Sequence, residues 1–326
     1  MRGSLFVAAA FALLAAPTSS PLHRYEFEQP HMGTLFRLVL YAADDGAARR
    51  ASGAAFERIA ELDARLSDYR PDSELNRVVR EAPYRPVAVG PDLFEVLDLS
   101  KAFSIRTGGA FDVTAGAVTH LWRRARRLSE LPDGDELAAA AALSGYGLMH
   151  LDPAARTVRL ERAGMRLDLG GIGKGYAADR ALEALRSAGV SRALIAAGGD
   201  IAAGDPPPDA EGWDVAIAGR LDHPPLRLSQ AAVSTSGDLE QWLEAGGVRY
   251  SHIVDPRTGR ALTRRRLVSA LARDAATSDM LATAASVLQD EEALRLAEGT
   301  PGAALLIGTM GADGGVNWVR SGRWPR

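Results

Sequence analysis

The segment LDLGGIGKGYAAD, residues 167–179, constrains the fold of this chain most strongly. It follows an apolar run at 165–169, which predicts a strand, and it leads into an amphipathic stretch at 176–188, which predicts a helix ended by Gly189. Glycines let a backbone approach a ligand closely, and a helix N-terminus favours an anion. The segment therefore predicts a phosphate-binding turn between strand and helix. An ordinary turn with a surface lysine is the alternative.

Two common nucleotide-binding motifs do not fit this segment. A Walker A loop has Ser or Thr after its lysine, whereas Lys174 is followed by Gly175, and Asp168 stands at the position of the first glycine. The dinucleotide fingerprint requires a third glycine where this chain has Tyr176. An anion-binding role therefore depends on the loop's glycines, on the helix N-terminus and on the charge of Lys174.

Helical and extended patterns are mixed irregularly along the chain, which predicts the α+β class rather than a repeated βαβ unit. Helices are predicted over 44–66, 92–106, 176–188 and about 277–289, with an Ala/Leu-rich helix after residue 136. Extended segments are predicted at 33–42, 110–116, 148–151, 156–160, 165–169, 192–200, 213–219, 226–237, 248–255 and 303–309. Ser73 and Thr277 are candidate N-caps. No linker or repeat divides residues 21–326, so we expect a single domain.

Charge and the N-terminal segment limit the function classes. The formal net charge of −3 argues against bulk nucleic-acid binding, and the basic run at 123–127 is interpreted as the solvated face of a helix. Residues 1–20 combine Arg2, an apolar run at 5–16 and small residues, which is typical of a cleavable signal peptide. The apolar run is too short to span a bilayer. We therefore expect an exported, periplasmic protein without a stable membrane span.

The chain has no cysteine. This absence excludes disulfides, a cysteine nucleophile, and zinc or iron–sulfur centres bound by cysteine. It also excludes a lipid-modified cysteine after the signal peptide, so a lipoprotein is not expected. Any metal must use oxygen or nitrogen ligands, and oxygen ligands suit magnesium or calcium.

A second chemical feature is the segment ATSDMLATAASVL, residues 276–288, which carries an apolar helical stripe. Asp279 and Thr283 lie one helical turn apart on another face. A carboxylate and a hydroxyl in this arrangement form half of a magnesium site, to be completed by carbonyl groups, water and ligand phosphate. The alternative is that Asp279 is a first-turn acid that stabilises the helix dipole.

Two further segments carry side chains suited to ligand binding. His252 alternates with Tyr250 and Val254 along a predicted strand that ends in a sharp turn, and it is either structural or catalytic. Phe111 and Asp112 follow two glycines, and an aromatic ring beside a carboxylate suits a flat heteroaromatic ligand. The alternative places Phe111 in the core and Asp112 in a turn.

Eight segments taken in chain order form a recognisable set. They are HMGTLFRL (31–38), LSDYRPDSELNRV (66–78), TGGAFDVTAGAVTHLW (107–122), DLGGIGKGYAAD (168–179), IAAGGDIAAGD (195–205), VSTSGD (233–238), YSHIVDPRTGRAL (250–262) and ATSDMLATAASVLQ (276–289). Their order and composition resemble the FAD:protein FMN transferases, the ApbE family. The resemblance implies a T-fold-like architecture that binds FAD and Mg²⁺. It also implies transfer of FMN from FAD to a Thr or Ser hydroxyl of an acceptor flavoprotein through a phosphoester bond, with release of AMP.

The resemblance also implies roles for individual residues. Asp279 and Thr283 match the side-chain metal ligands, and Gly171 matches the residue whose carbonyl binds the metal. His252 matches the histidine near the scissile phosphate and is a candidate general base, with an aspartate as the alternative. The implied contacts to FAD are Met32, Tyr69, Ala110, Phe111, Asp112, Asp168, Lys174, His252 and Ile253.

Two other functions remain open at this point. An Mg²⁺-dependent FAD pyrophosphatase would use the same site with water in place of the acceptor hydroxyl, giving FMN and AMP. A non-catalytic FAD-binding protein is the other, although mere binding requires no set such as Asp279, Thr283 and His252. The partner implied for the transferase is a protein with an FMN-binding domain that carries the target Thr or Ser. In the family, such acceptors face the cell envelope.

Overall fold

A computed structural model of the protein describes residues 21–220, 224–237, 241–311 and 313–325. The predicted signal peptide, residues 1–20, lies outside the described residues. Within the described ranges, no helix is both long enough and apolar enough to cross a membrane.

Strands and helices alternate irregularly along the chain. The strands are β1 (His23–His31), β2 (Thr34–Ala42), β3 (Val87–Ala88), β4 (Met149–Asp152), β5 (Thr157–Leu160), β6 (Ala193–Ala197), β7 (Asp200–Ala203), β8 (Trp213–Val215), β9 (Leu226–Leu228), β10 (Ala231–Gly237), β11 (Trp242–Ala245), β12 (Val248–Ser251), β13 (Val254–Asp255), β14 (Arg260–Ala261), β15 (Arg266–Ala272), β16 (Ala304–Met310) and β17 (Val316–Arg320). The helices are α1 (Asp45–Leu66), α2 (Glu74–Glu81), α3 (Pro91–Arg106), α4 (Gly116–Leu128), α5 (Gly134–Ala141), α6 (Gly173–Ser187), α7 (Ala275–Val287) and α8 (Asp290–Glu298). A short 3₁₀ helix, Tyr146–Leu148, precedes β4.

An antiparallel sheet of eight strands, ordered β1-β2-β6-β7-β10-β15-β16-β17, forms the centre of the fold. A three-stranded sheet, β3-β5-β4, and the pairs β8-β9, β11-β12 and β13-β14 surround it. The sequence patterns did not predict β1, β7, β15, β17 or α8. The combination of antiparallel sheets and packed helices confirms the predicted α+β class.

Both faces of the large sheet are covered. Helices α1, α6 and α7 pack against one face, and β8 and β9 contribute to an apolar cluster with Trp213 and Trp324 on the other. Along β2, Phe36 and Leu38 belong to the cluster on the helix side, whereas Val39 belongs to the opposite cluster. Because successive side chains of a strand point to opposite faces, this arrangement explains the nearly continuous apolar pattern of β2.

A smaller apolar cluster joins α4 and α5 to the hairpins β11-β12 and β13-β14. The ring of Trp122 in α4 stacks on Tyr250, with the ring centroids 5.5 Å apart. The indole Nε1 of Trp122 donates a hydrogen bond to the carbonyl of Gly259 across 3.0 Å. These contacts fix the connection between β12 and β13, which carries His252, against the body of the protein.

Two segments predicted to be strands form no ladder. Residues 110–116 make a turn that leads into α4, and residues 165–169 contribute a single bridge, between Ala115 and Arg166. A Cβ built on Gly116 would lie 2.6 Å from the carbonyl carbon and oxygen of Arg166, so this crossing requires a glycine. The apolar runs in both segments reflect burial at a crossing of two chain segments rather than strand pairing.

Candidate active site

The glycine loop leads into α6 as predicted, but the helix begins at Gly173, earlier than the predicted start at 176. Ile172, which precedes the helix, provides no side-chain cap for the first-turn N–H groups. The N–H of Gly175 instead donates to the Asp279 carboxylate across 3.3 Å. The loop therefore directs the N-terminus of α6 toward α7.

Gly175 allows α6 and α7 to approach this closely. A Cβ built on Gly175 would lie 2.6 Å from the carbonyl carbon of Ala275. One turn further along α6, the Asp179 carboxylate accepts hydrogen bonds from the N–H groups of Ala275 (2.8 Å) and Ala276 (2.9 Å). Burial raises the pKa of Asp179 to about 7, although these bonds oppose the shift. Helix packing thus explains why glycine, and not Ser or Thr, follows Lys174.

The start of α7 differs from the prediction. Asp274, not Thr277, is the N-cap residue, and its side chain accepts a hydrogen bond from the Thr277 N–H across 2.7 Å. Asp279 is only 3% exposed, and its carboxylate faces α6 rather than the N-terminus of α7. The helix-dipole interpretation of Asp279 is therefore wrong.

Lys174, Asp200 and Asp279 form a group that we call the buried ionic cluster. Lys174 Nζ forms an ion pair with Asp200 and lies 3.9 Å from Asp279 Oδ2. Asp200 begins β7 directly after the turn at Gly198 and Gly199, so the large sheet supplies the third member of the cluster. Sequence reasoning placed Asp200 in a turn without a chemical role. The segment IAAGGD, residues 195–200, belongs to one of the eight segments that resemble the ApbE family, and this position could have identified Asp200 as a candidate site residue.

The buried ionic cluster has one positive charge for two carboxylates. Burial and the neighbouring Asp200 raise the pKa of Asp279 to about 7, while Lys174 opposes this shift. Burial lowers the pKa of Lys174, but Asp279 and Asp200 outweigh that effect and raise it, so the amine stays charged. Excess negative charge in poorly solvated surroundings favours the binding of a cation.

Gly171, Phe111 and Thr283 meet beside this cluster. A Cβ built on Gly171 would lie 2.9 Å from Thr283 Oγ1 and 3.1 Å from Phe111 Cε2. Thr283 follows Asp279 by one helical turn, and its hydroxyl forms no hydrogen bond with any residue in the described part of the chain. A helical threonine can return its hydroxyl to the preceding turn. Here the oxygen is left available to a ligand.

Asp68, Arg123 and Asp168 form a second group, the rim cluster, at the start of the glycine loop. Arg123 pairs with Asp68 and donates to Asp168 Oδ2 across 2.8 Å, and Thr119 Oγ1 donates to the same oxygen across 2.6 Å. The Arg123 guanidinium also lies 4.9 Å from the centre of the Tyr69 ring, which is largely exposed. The interpretation of the basic run as a solvated helix face is therefore wrong for Arg123, which connects α4 to the loop.

Phe111 and Asp112 organise the turn that borders the glycine loop. Phe111 is buried and meets Phe103 edge-on, with the ring centroids 5.5 Å apart. Asp112 accepts hydrogen bonds from Thr114 N–H (2.8 Å), Thr114 Oγ1 (2.6 Å) and Tyr146 N–H (2.7 Å). Burial raises the pKa of Asp112, although these bonds oppose the shift. Both residues thus have a structural role at the edge of the site.

Residues 32–307 match the sequence model described as the ApbE family. The chain belongs to the ApbE family. The FAD:protein FMN transferase of Treponema pallidum is 35% identical over 296 residues, covering 85% of this chain and 82% of that protein. The FAD:protein FMN transferase of Vibrio cholerae is 30% identical over 310 residues, covering 92% of each chain.

Solved ApbE structures have the same fold. The flavin transferase ApbE from Vibrio cholerae aligns with a TM-score of 0.81 and 28% identity, covering 93% of this chain and 98% of that one. The apo form of the Pseudomonas stutzeri flavinyl transferase ApbE aligns with a TM-score of 0.82 and 27% identity, covering 92% and 95%. These similarities confirm the family resemblance and identify the chain as an enzyme.

In this ApbE chain, three predicted site residues lie on other elements. Met32 occupies the turn between β1 and β2 with a φ of 49°, and its N–H donates to Asp63 across 3.2 Å. His252 and Ile253 lie in the connection between β12 and β13, so the predicted alternation along one continuous strand is wrong. The N–H of His252 donates to the carbonyl of Gln241 across 3.2 Å, and its Nδ1 lies 3.3 Å from the same oxygen.

The oxygen donors of the ApbE site suit magnesium. Within the described ranges, no group of three or more His, Asp or Glu side chains forms a metal-binding arrangement. The set that could hold an ion is instead the Gly171 backbone, the Thr283 hydroxyl and the Asp279 carboxylate. Magnesium in proteins commonly binds through one or two carboxylates together with water and substrate phosphates. One buried carboxylate with neutral oxygens beside it fits that chemistry.

Proposed function

We propose that this chain is an Mg²⁺-dependent FAD:protein FMN transferase. The acceptor's Thr or Ser oxygen forms a bond to the FMN phosphorus, the pyrophosphate P–O bond to the AMP half breaks, and AMP leaves. The observation that carries this proposal is the glycine loop, which brings Lys174, Asp279 and Thr283 around the uncapped N-terminus of α6. The family membership and the names of the relatives support the same reaction.

We assign the metal to three oxygen donors. Gly171 would bind it through its carbonyl, Asp279 through its carboxylate and Thr283 through its hydroxyl. When bound, Mg²⁺ supplies positive charge that stabilises the pyrophosphate oxygens and the departing AMP. Lys174 opposes the rise in the pKa of Asp279. With the N–H groups at the start of α6, Lys174 also adds positive charge for the pyrophosphate.

The remaining residues bind FAD and orient it. The carboxylate of Asp168 has a fixed orientation, because it accepts from Arg123 and from the Gly170 N–H across 2.9 Å. The exposed ring of Tyr69 offers a stacking surface for a flat heteroaromatic group. The residues proposed to contact FAD are Met32, Tyr69, Ala110, Phe111, Asp112, Asp168, Lys174, His252 and Ile253.

His252 is the proposed general base for the acceptor hydroxyl. In the tautomer that carries its proton on Nδ1, that atom donates to the Gln241 carbonyl 3.3 Å away. Nε2 is the unprotonated ring nitrogen of that tautomer, and it would take up the hydroxyl proton. An aspartate remains the alternative base.

The acceptor is a separate protein with an FMN-binding domain that carries the target Thr or Ser. We place the reaction in the periplasm because residues 1–20 have the pattern of a signal peptide. Nucleic acid is not a proposed partner.

Mass spectrometry of the acceptor tests this proposal. The chain from residue 21 onward is incubated with FAD, MgCl₂ and an FMN-binding acceptor domain. The expected result is one added FMN on the acceptor and an equal amount of AMP, with no adduct on an acceptor whose target hydroxyl residue is alanine. Free FMN and AMP without an adduct would instead identify an FAD pyrophosphatase, and intact FAD would identify a non-catalytic binding protein.

A further inference from the structure

Helices α6 and α7 each supply a carboxylate to the N-terminus of the other. The N–H of Gly175, in the first turn of α6, donates to the Asp279 carboxylate of α7 across 3.3 Å. In return, the N–H groups of Ala275 and Ala276, in the first turn of α7, donate to the Asp179 carboxylate of α6 across 2.8 and 2.9 Å. Within each helix, the carboxylate lies one turn after the first-turn donor and on the same face. The two helices therefore hold each other by reciprocal contacts.

The two carboxylates of this exchange are not equally free. Both oxygens of Asp179 are used, since Oδ1 accepts from the N–H of Ala275 and Oδ2 from that of Ala276. The longer bond to Asp279 uses Oδ2, the atom that also lies 3.9 Å from Lys174 Nζ, and Oδ1 accepts no hydrogen bond from any described residue. First-turn N–H groups have no partner within their own helix, so a carboxylate that accepts two of them has a fixed orientation. Asp179 thus holds the helices together, whereas Asp279 keeps an oxygen for a cation.

Asp274 serves the same end of α7 from the N-cap position. Its side chain accepts from the Thr277 N–H across 2.7 Å, so Asp274 and Asp179 together satisfy the first three N–H groups of α7. Asp274 belongs to the same segment as the helix and would move with it. Of these two carboxylates, only Asp179 fixes α7 relative to α6 and the glycine loop.

We propose that Asp179 is a positioning residue for Mg²⁺, which holds the proposed ligands of α7 in register with the glycine loop. This inference rests on the proposed function, because it concerns the metal that the proposed reaction requires. Asp279 and Thr283 lie on α7, whereas Gly171 precedes α6, so the three proposed donors come from two elements. Groups that orient metal ligands affect the affinity of a site without touching the metal. Asp179 would act in this way, through the N-terminus of α7.

Calorimetric titration with MgCl₂, in the presence of FAD and without acceptor, tests this proposal. Asp179→Asn keeps the size of the side chain, but its amide nitrogen would face a main-chain N–H, so one of the two bonds is lost. The Mg²⁺ affinity of this variant is expected to fall by about tenfold. Asp274→Asn is the matched control, because it also removes a charge near the start of α7, and asparagine caps a helix as well as aspartate does. Its Mg²⁺ affinity is expected to stay close to that of the wild type.

The variant Asp179→Glu separates the position of the carboxylate from its charge. It keeps the negative charge but adds one methylene group, so it is also expected to weaken Mg²⁺ binding. Circular dichroism establishes that all three variants are folded. In the acceptor assay, saturating MgCl₂ is expected to restore most of the transfer rate of Asp179→Asn, because the proposed ligands themselves are unchanged. A higher KM for Mg²⁺ with little change in kcat is the signature of a positioning role.

Three results would overturn the proposal. They are wild-type Mg²⁺ affinity in Asp179→Asn, an equal loss of affinity in Asp274→Asn, and wild-type affinity in Asp179→Glu alone, which would leave only an effect of charge. A wild-type protein that binds no Mg²⁺ in this titration would instead overturn the proposed metal site, and this inference with it.

Discussion

Two ionic clusters flank the glycine loop, and each combines one positively charged side chain with two aspartates. The rim cluster places Arg123 between two carboxylates, and the buried ionic cluster places Lys174 between two others. The two cations are similarly exposed, at 25% and 29% of their side chains. The carboxylates differ: those of the rim cluster are 23% and 12% exposed, and those of the buried ionic cluster are 3% and 4% exposed.

This difference in burial decides what the excess negative charge does. In the rim cluster, Arg123 pairs with both carboxylates, so the cluster holds the loop and Tyr69 in place. Burial and the neighbouring Asp168 also raise the pKa of Asp68, but Arg123 pairs with it directly and opposes the shift. In the buried ionic cluster, Lys174 pairs closely with Asp200 but lies 3.9 Å from Asp279, whose pKa rises to about 7. The same three charges thus form a structural clamp at one end of the loop and the proposed cation site at the other.

The largest expected effect separates the two clusters by function. Asp279→Asn keeps the shape of the side chain but removes the charge that is proposed to bind the metal. We expect it to lower Mg²⁺-dependent FMN transfer by at least about 100-fold, more than the loss of a group that only supports a metal ligand. The matched variant Asp68→Asn in the rim cluster should lower the rate far less. Equal losses in the acceptor mass-spectrometry assay would remove the functional distinction between the clusters.

The second expected effect concerns stability. Lys174→Met leaves Asp200 and Asp279 buried without a cation, and we expect the free energy of unfolding to fall by about 3 kcal/mol. Arg123→Met leaves carboxylates that water reaches, and we expect a loss of about 1 kcal/mol. Urea unfolding followed by circular dichroism measures both values. If Lys174→Met is no less stable than Arg123→Met, carboxylate burial does not distinguish the two clusters.

The third expected effect is a pair of pH dependences with opposite signs. As the pH rises, the stability of the metal-free protein should fall, whereas its affinity for Mg²⁺ should rise. Because the folded-state pKa of Asp279 is raised to about 7, the folded protein holds a proton that the unfolded chain releases. With EDTA, stability should therefore fall as the pH rises from about 4 to about 7. The apparent Mg²⁺ affinity should rise by about tenfold per pH unit up to about pH 7, because a proton and the metal compete for Asp279.

Thermal unfolding with EDTA and Mg²⁺ titrations across this pH range measure the two trends. Asp279→Asn provides the control, since it cannot titrate: the Mg²⁺ affinity that remains should no longer change with pH. The fall in stability should become shallower but persist, because the pKa of Asp179 is also raised to about 7. An Mg²⁺ affinity that does not change over the range would show that Asp279 is not the ionising ligand.

The smallest expected effect comes from a neutral donor. Thr283→Val removes the hydroxyl and keeps the branched shape, and we expect the apparent Mg²⁺ affinity to fall by about tenfold. Thr283→Ser retains the oxygen and should restore most of the affinity. If Thr283→Val and Thr283→Ser bind Mg²⁺ equally, the hydroxyl is not a ligand and the packing of this side chain beside Gly171 is its only role.

Local patterns predicted the parts of the site that lie within single elements. The glycine loop, α6, and the pair Asp279 and Thr283 depend on spacing along one helix or turn, so the sequence displays them. Ser73 was correctly predicted as an N-cap, because its side chain accepts from the Asn76 N–H nearby in sequence. The antiparallel pairing of distant strands has no such local signature. The sequence patterns therefore did not predict β15, which lies between β10 and β16 in the large sheet.

Contacts between distant segments were the harder part of the site. Asp200 reaches Lys174 only because β7 lies beside α6 in the fold. In the sequence, Arg123 is one of several arginines in a basic run. In the fold, α4 lies beside the segments that carry Asp68 and Asp168, and Arg123 pairs with both. In both cases the residue type was visible in the sequence, but its partner lies 26 or more positions away.

The contact between Gly175 and the carbonyl of Ala275 also limits how this loop can evolve. A change of Gly175 to serine would create the Lys-Ser pair of a Walker A loop by one substitution. The new Cβ would nevertheless lie 2.6 Å from the Ala275 carbonyl carbon, and it would displace α7 together with Asp279. The serine that a Walker A loop requires after its lysine would therefore disrupt the packing of α6 against α7 before it could serve a new ligand, so a change at this position alone carries a structural cost with no compensating function.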